Sequence, residues 1–240
     1  MNVAALVSGG KDSALALYRI LRAGYNVKYL VTMIPRREDS WMFHYPNIRL
    51  TEFFSRAAGI PLVSAETAGK KEEELEDLRK ILATLDVKGI VSGAIFSEYQ
   101  KTRIDAICGE LGLEPIAPLW HEDPVKLMRE LIEHGFHVIV TGVYAYGLDK
   151  KWLGRRIDVR TLDRLIELNM RYKVSIVGEG GEYETLVLDA PYFKQQIRIA
   201  KARKVWEGDS GYLLIEEASL RRKSDAQSRL RKNVEIDRRA

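Results

Sequence analysis

The first half of the chain alternates short apolar runs with amphipathic stretches of helical period. This alternation is typical of a parallel sheet whose strands are buried on both faces by crossover helices. The apolar runs predict strands at residues 2–7, 27–34, 61–65, 88–92 and 115–119, and the stretches between them predict helices that begin near Ser13, Asn47, Glu72 and Ser97. Residues 1–120 are therefore predicted to form an α/β domain with a doubly wound parallel sheet.

The pattern changes after residue 120. Asp123 is a predicted N-cap with Pro124 at the first helical position, which opens a helix that reaches about His134. The elements predicted beyond it are a buried strand at 136–148, a helix at 158–172, and two strands at 195–208 and 212–220 that flank the turn sequence DSG as a hairpin. We therefore predict a smaller α+β domain at residues 121–220.

The positive charge of the chain is concentrated at its end. The formal net charge is +4, but residues 221–240 hold eight Lys or Arg against three Asp or Glu, which leaves residues 1–220 close to neutral. This segment has no sustained apolar periodicity, so we predict a basic, flexible tail. Because the rest of the chain is not basic, we do not expect nucleic acid as a partner.

Composition sets further limits. The chain has 46% hydrophobic and 30% charged residues, and no apolar run approaches the ~20 residues of a membrane span. We therefore expect a cytoplasmic protein without a membrane partner, and the many Glu, Lys and Arg residues hint at a heat-adapted, archaeal source. Cys108 is the one cysteine, which excludes an internal disulfide and any paired-cysteine zinc or redox motif.

The sequence SGGKDS, residues 8–13, joins the first predicted strand to the first predicted helix. Glycines at such a junction place backbone N–H groups and the positive end of a helix dipole at the edge of the sheet, where anions bind. The Walker P-loop does not fit, because Asp12 follows Gly10-Lys11 and Ala5 stands in place of the earlier glycine. The Rossmann spacing does not fit either, so a different phosphate-binding loop is required.

SGGKDS resembles the signature loop of the ATP pyrophosphatases, whose nucleotide domain is HUP-like, of the adenine nucleotide alpha hydrolase type. The resemblance implies ATP as cofactor, bound by its pyrophosphate portion while chemistry occurs at the α-phosphate. Gly9 and Gly10 let the backbone close on the phosphates, and Ser8 and Ser13 offer hydroxyl groups. Lys11 offsets charge on the leaving group, which makes it a catalytic candidate. Asp12 is the second catalytic candidate and the expected Mg²⁺ ligand, because a carboxylate beside a polyphosphate needs a cation between them.

Three further stretches, SWMFHYPN at 40–47, VSGAIFSEYQKTRID at 91–105 and GEGGEYETLVLDAP at 178–191, are similar to the diphthine–ammonia ligase family. The resemblance spans about residues 1–217. It implies the last step of diphthamide synthesis, in which ammonium and ATP convert the carboxylate of diphthine on translation elongation factor two to an amide. The carboxylate first becomes an acyl adenylate with release of pyrophosphate, and ammonia then displaces AMP.

Within this resemblance, a second group of candidates concerns the nucleotide. Gly93 would allow close approach to it, and Tyr99, Gln100 and Arg103 on one helix start would reach ribose, phosphate or acyl oxygen, with Arg103 as the third catalytic candidate. His44 faces the adenylate in one interpretation and caps the following helix in the other.

The third group of candidates is predicted to bind the acceptor. Diphthine carries a fixed trimethylammonium group, and quaternary cations are held by carboxylates and aromatic faces. The candidates, which lie in one glycine-containing loop, are Glu179, Gly180, Gly181, Glu182, Tyr183 and Glu184. We expect this loop to come from the second domain and to close over the nucleotide.

Two alternatives stay open at this stage. Another ATP pyrophosphatase could act on tRNA, although thiolating enzymes commonly use paired cysteines and a lysidine-type ligase would need a basic surface. A nucleotide sensor would bind ATP without turnover. No glutaminase domain is recognised, so ammonium would come from solution or a partner, and a homo-oligomer is possible.

Overall fold

The computed structural model describes residues 1–35, 47–67 and 71–223. Its first layer is a five-stranded parallel sheet in the order β3-β2-β1-β4-β5. The strands are β1 (Asn2–Leu6), β2 (Asn26–Pro35), β3 (Leu62–Thr67), β4 (Gly89–Val91) and β5 (Glu114–Ile116). The sheet order reverses beside β1, as expected for a doubly wound fold, and this confirms the predicted fold class.

Helices cover both faces of this sheet. They are α1 (Lys11–Arg22), α2 (Thr51–Ala58), α3 (Lys71–Ala83) and α4 (Glu98–Leu111), with a short 3₁₀ turn at Ile48–Leu50 before α2. Apolar side chains of α3 and α4 pack with β1, β2 and β4 on one face, and those of α1 and α2 pack on the other. Ser97 caps α4 by accepting a hydrogen bond from the Gln100 backbone N–H, as expected for a helix that begins near this residue.

The second sheet is antiparallel and has the order β7-β6-β9-β8. Its strands are β6 (His137–Val143), β7 (Tyr183–Asp189), β8 (Gln195–Glu207) and β9 (Ser210–Arg222). The same part of the chain forms the helices α5 (Pro124–Glu133) and α6 (Val159–Tyr172) and a 3₁₀ turn (Lys150–Trp152). Asp123 caps α5 with Pro124 at its start, and β8 and β9 form the predicted hairpin. The strand predicted at 136–148 ends early, because the chain turns after Val143 to hydrogen-bond Leu148 N–H to the Ala145 carbonyl.

One continuous apolar core joins the two sheets. Residues 14–18 of α1 are all buried, because the helix has the parallel sheet on one side and the antiparallel sheet on the other. The Phe54 and Phe193 rings meet edge to face at 4.8 Å and connect α2 to the segment after β7. The predicted boundary near residue 120 therefore separates two sheets but not two cores.

The predicted tail begins too early at residue 221. Strand β9 continues through Arg222, paired with Gln195 of β8. The Lys223 ammonium forms an ion pair with Asp189 and donates a hydrogen bond to the Ala190 carbonyl. The first two residues of the predicted tail therefore belong to the second sheet, and the side chain of the third contacts the end of β7. None of the helices in the described part of the chain has the length and apolar character needed to cross a membrane.

Candidate functional site

A cavity of about 510 Å³ opens at the carboxyl edge of the parallel sheet, between the loops that follow β1 and β4. This is the position at which doubly wound sheets bind ligands. Three segments of the chain contribute polar groups to the wall, namely 8–13, 92–103 and 178–185. Apolar side chains complete the wall, and they are Leu6, Val7, Val31, Met33, Ile48, Leu78, Ala94 and Ile104.

The turn at residues 8–13 is braced by its own side chains. Gly9 has φ +82°, a conformation that favours glycine, and Gly10 is extended at the N-cap of α1. The Ser8 hydroxyl accepts a hydrogen bond from Gly10 N–H at 3.4 Å, and the Ser13 hydroxyl accepts one from Ser8 N–H at 3.4 Å. No side chain caps α1. Lys11 N–H donates to Thr185 and Ala14 N–H donates to the Gly10 carbonyl, so the N–H groups of Asp12 and Ser13 are the ones of this turn available to an anion in the cavity.

Strand β7 holds this turn from the side of the second sheet. Lys11 N–H donates to the Thr185 hydroxyl at 3.1 Å, and Val187 N–H donates to the Gly9 carbonyl at 2.9 Å. Sequence reasoning did not select Thr185. The available signal was its place as the last residue of the EGGEYET run, where a hydroxyl follows the acidic positions.

The Lys11 ammonium lies at the base of the cavity and has several partners. It donates to both carboxylate oxygens of Asp12, at 2.8 and 2.9 Å, and to the Val177 carbonyl. It also lies 5.4 Å from the centroid of the Tyr183 ring. The lysine side chain is 3% exposed and that of Asp12 is 36% exposed, so the carboxylate is the part of the pair that faces the cavity. Burial of this carboxyl raises the pKa of Asp12 against the opposing effect of Lys11.

Asp12 is compatible with a metal that arrives with a nucleotide. Among the described residues, no group of three or more His, Cys, Asp or Glu side chains is arranged to hold a metal ion alone. Mg²⁺ usually needs only one or two protein carboxylates, because phosphate oxygens and waters complete its coordination. A single cavity-facing carboxylate beside an anion-binding turn supplies that donor set.

Gly93 packs against the first turn of α1. A Cβ atom at this position would lie 2.7 Å from Ser13 N and 2.8 Å from the carbonyl carbon of Asp12. The glycine therefore lets the loop after β4 contact this turn, and it also lines the cavity. Close approach to backbone is reason enough for the absence of a side chain, and the predicted approach to a nucleotide stays a prediction.

Two polar residues of α4 reach the cavity wall, Gln100 and Arg103. The Arg103 guanidinium stacks on the Tyr99 ring, 3.4 Å from its centroid, and its Nη1 donates to the Tyr99 carbonyl at 3.4 Å. Tyr99 is not part of the wall. In this structure Tyr99 orients Arg103, and the direct contact with a nucleotide predicted for Tyr99 stays a prediction. His44 lies outside the described residues.

Glu179 joins the loop of the second sheet to the loop after β4. Its Oε1 accepts hydrogen bonds from the backbone N–H groups of Ile95, Phe96 and Ser97, at 3.3, 2.9 and 2.8 Å. Three donors on one oxygen make this carboxylate a bridge between the two halves of the cavity wall. This oxygen is therefore engaged by backbone, and the predicted contact of Glu179 with a trimethylammonium group stays a prediction.

We expect Glu179→Ala to lower the free energy of unfolding by about 2 kcal/mol, because three backbone donors lose a charged acceptor. Glu179→Gln should lose less, since its amide oxygen still accepts. Urea denaturation followed by circular dichroism measures both, with Glu110→Ala on the exposed face of α4 as the control. Equal midpoints for Glu179→Ala and the unsubstituted protein would contradict this role.

Other residues of the same loop also have partners within the protein. The buried Tyr183 hydroxyl donates to the Ile176 carbonyl at 2.6 Å, and Glu182 Oε1 accepts from Ser175 N–H at 3.0 Å. Gly181 takes a positive φ of +81°, and Gly180 and Gly181 lie on the cavity wall. The Tyr183 ring lies beside the Lys11 ammonium and also lines the cavity, and its predicted contact with a quaternary cation stays a prediction.

Glu184 is the acidic residue of the loop with the weakest protein contact. Its Oε2 lies 3.5 Å from the Tyr144 hydroxyl, and the residue lines the cavity. Burial raises the pKa of Glu184 to about 8.

Cys108 lies away from the cavity wall, fully buried, and burial raises the pKa of its thiol to about 11, which does not suit a nucleophile.

Comparison with known proteins gives consistent matches over most of the chain. Residues 1–115 match the family model described as the diphthamide synthase N-terminal domain, and residues 123–220 match that of the diphthamide synthase C-terminal domain. A diphthine–ammonia ligase from Danio rerio is 34% identical over 234 residues, covering 88% of this chain and 91% of the relative. The diphthine–ammonia ligase from Homo sapiens is 34% identical over 228 residues, covering 85% of each chain.

Solved structures are more distant. A predicted subunit of a tRNA methyltransferase from Methanocaldococcus jannaschii is 18% identical, with a TM-score of 0.44 over 79% of this chain and 98% of the other. At this score the similarity supports no argument about function.

Proposed function

The chain belongs to the diphthine–ammonia ligase family, and we propose from this that it amidates the carboxylate of diphthine on elongation factor two with ATP and ammonium. The observation that carries the proposal is a single cavity shared by an uncapped helix N-terminus and by the loop of residues 178–185. A nucleotide and an acyl acceptor can therefore meet there. Family membership does not favour a tRNA substrate or a sensor without turnover.

The phosphates of ATP are proposed to bind at the turn of residues 8–13. The N–H groups of Asp12 and Ser13 and the Ser8 hydroxyl provide donors, and Lys11 provides positive charge at the base of the cavity. The Ser13 hydroxyl donates to the Gly10 carbonyl and holds the turn in shape beside the phosphates. The apolar side chains between β1, β2 and α4 offer a surface for the adenine base. Arg103 faces the same space with its guanidinium fixed on Tyr99, which suits an anionic oxygen near the α-phosphate.

The acceptor carboxylate is proposed to enter along the loop of residues 178–184. A free carboxylate is a poor electrophile, and attack of one of its oxygens on the α-phosphorus forms an acyl adenylate while pyrophosphate leaves. The turn of residues 8–13 and Lys11 stabilise the charge that grows on pyrophosphate. Ammonia then attacks the acyl carbon, and AMP leaves with the amide as product.

Asp12 is the residue proposed to hold Mg²⁺. When bound, the ion would neutralise part of the phosphate charge. Asp12 can serve it because its carboxylate is the cavity-facing part of the pair with Lys11.

Residues 1–120 are proposed to carry the nucleotide, and residues 121–220 are proposed to contribute the acceptor side. We propose the cytoplasm as the location, because the acceptor acts in translation.

Mass spectrometry tests the proposal directly. Elongation factor two bearing diphthine, incubated with the protein, ATP and ¹⁵N-ammonium, is expected to gain a labelled amide, with one AMP and one pyrophosphate formed for each amide. Factor that lacks diphthine is the control and should release no pyrophosphate above background. ADP and phosphate as products, or ATP binding with no amide in the factor, would overturn the assignment.

A further inference from the structure

Glu184 is a carboxyl group on the cavity wall to which no cation of the described residues is paired. It lies in the part of β7 that borders the cavity, and its Oε2 lies 3.5 Å from the Tyr144 hydroxyl. Gly142 on the neighbouring strand β6 makes room for both groups, since a Cβ there would lie 3.0 Å from Glu184 Oε2 and 2.8 Å from the Tyr144 ring. Packing across the two strands therefore fixes the position of this carboxyl.

The other acidic groups of the cavity wall make shorter hydrogen bonds within the protein. Asp12 is paired with Lys11, and Glu179 accepts three backbone hydrogen bonds. Glu184 is the carboxyl of this wall with the weakest contact inside the protein, and it can take a small external cation without breaking a short hydrogen bond.

We propose that Glu184 binds the ammonium substrate and accepts a proton from it, as the general base of the amide-forming step. The inference rests on the proposed function, because the acyl adenylate must form in the same cavity. Ammonium has no lone pair and cannot attack a carbonyl, and at neutral pH it greatly exceeds ammonia. A carboxylate at the cavity wall both attracts the cation and converts it into the nucleophile.

The proposed step is balanced in atoms and charge. The Glu184 carboxylate takes one proton from ammonium, and the ammonia lone pair forms a C–N bond with the acyl carbon of the adenylate. The bond from that carbon to the phosphate oxygen breaks, and AMP leaves with the electron pair. The second proton lost by nitrogen passes to solvent.

The environment of Glu184 supports this role. Burial raises its pKa to about 8, and a general base works best when its pKa lies near the operating pH. The group that contacts it is Tyr144 from the end of β6, with Tyr212 of β9 opposite Gly142, and Lys11, Asp12 and Arg103 line the same cavity. Since ionisation of a carboxyl with a raised pKa costs stability as pH rises from its ordinary value toward 8, Glu184→Gln should fold at least as stably as the unsubstituted protein at pH 8.

Hydroxylamine separates this role from a role in acceptor binding, because it is largely neutral at pH 7 and needs no deprotonation before attack. With diphthine-bearing factor and ATP, Glu184→Gln is expected to release pyrophosphate and form hydroxamate within about threefold of the unsubstituted protein. Its amide formation from ammonium at pH 7 should fall by roughly 100- to 10,000-fold. The rate of amide formation should recover at alkaline pH, where more of the ammonium is already deprotonated to ammonia. Glu167→Gln, on the exposed side of α6, is the matched control.

The outcomes are distinct. Selective loss of the ammonium reaction supports the proposal. Equal loss with both nucleophiles, as expected if Glu184 only holds the trimethylammonium group of diphthine, would overturn it, and so would an unchanged amide rate. If the unsubstituted protein forms neither amide nor hydroxamate, the proposed function itself is wrong.

Discussion

Replacing Lys11 with methionine is expected to slow acyl adenylate formation by roughly 100- to 1,000-fold, the usual effect of removing one preorganised electrostatic group. The ammonium of this residue is buried, lies at the base of the cavity and contacts Asp12 and the Val177 carbonyl. Methionine keeps the length of the apolar stem but leaves the Asp12 carboxylate without its cation. Isotope exchange between ATP and pyrophosphate, in the presence of diphthine-bearing factor, measures this step.

Two further variants make the Lys11 result specific. Lys28→Met removes an exposed lysine paired with Asp86, far from the cavity wall, and should exchange pyrophosphate within about twofold of the unsubstituted protein. Lys11→Arg keeps the charge with a different shape and should give an intermediate rate. A folded Lys11→Met protein, as judged by circular dichroism, that exchanges pyrophosphate at the normal rate would show that Lys11 is not catalytic.

The second large effect is expected from Gly93→Ala. The new Cβ would lie 2.7 to 2.8 Å from backbone atoms of Asp12 and Ser13, which cannot move aside as a flexible side chain can. We expect the free energy of unfolding to fall by about 1–3 kcal/mol. The adenylation rate should fall by roughly 100-fold, because a shift of about 1 Å in the phosphate-binding turn misaligns the reacting groups.

Gly109→Ala is the matched control, because Gly109 lies in α4, the helix that follows the loop of Gly93. Gly109 lies within α4, is exposed, and has no atom within 4 Å of the added Cβ. Because alanine favours the helix, this variant should gain about 0.5–1 kcal/mol of stability and keep full activity. Thermal unfolding and pyrophosphate exchange are measured on both proteins. Equal behaviour of the two variants would refute the proposed contact between the β4 loop and α1.

Much of the fold follows from local pattern. Alternating apolar and amphipathic stretches predicted the five parallel strands and their helices, and the Asp-Pro pair predicted the start of α5. The errors are a strand that was not predicted, β7, and several strand ends. The strand predicted at 115–119 ends at Ile116, because the following residues turn so that Trp120 N–H meets the Ala117 carbonyl. Hydrophobicity continues past such a turn, so periodicity alone does not detect it.

The sequence by itself determined the family and singled out the turn of residues 8–13, since both depend on residue types at adjacent positions. Only the tertiary structure decided what each candidate side chain contacts. It gave Gly93 a backbone neighbour, engaged Glu179 with three amides, and brought Thr185 to Lys11 across 174 positions of the chain. Contacts between segments that are far apart in the sequence depend on how the two sheets pack against each other. The pattern of residue types along the chain does not give the distance in space between such segments.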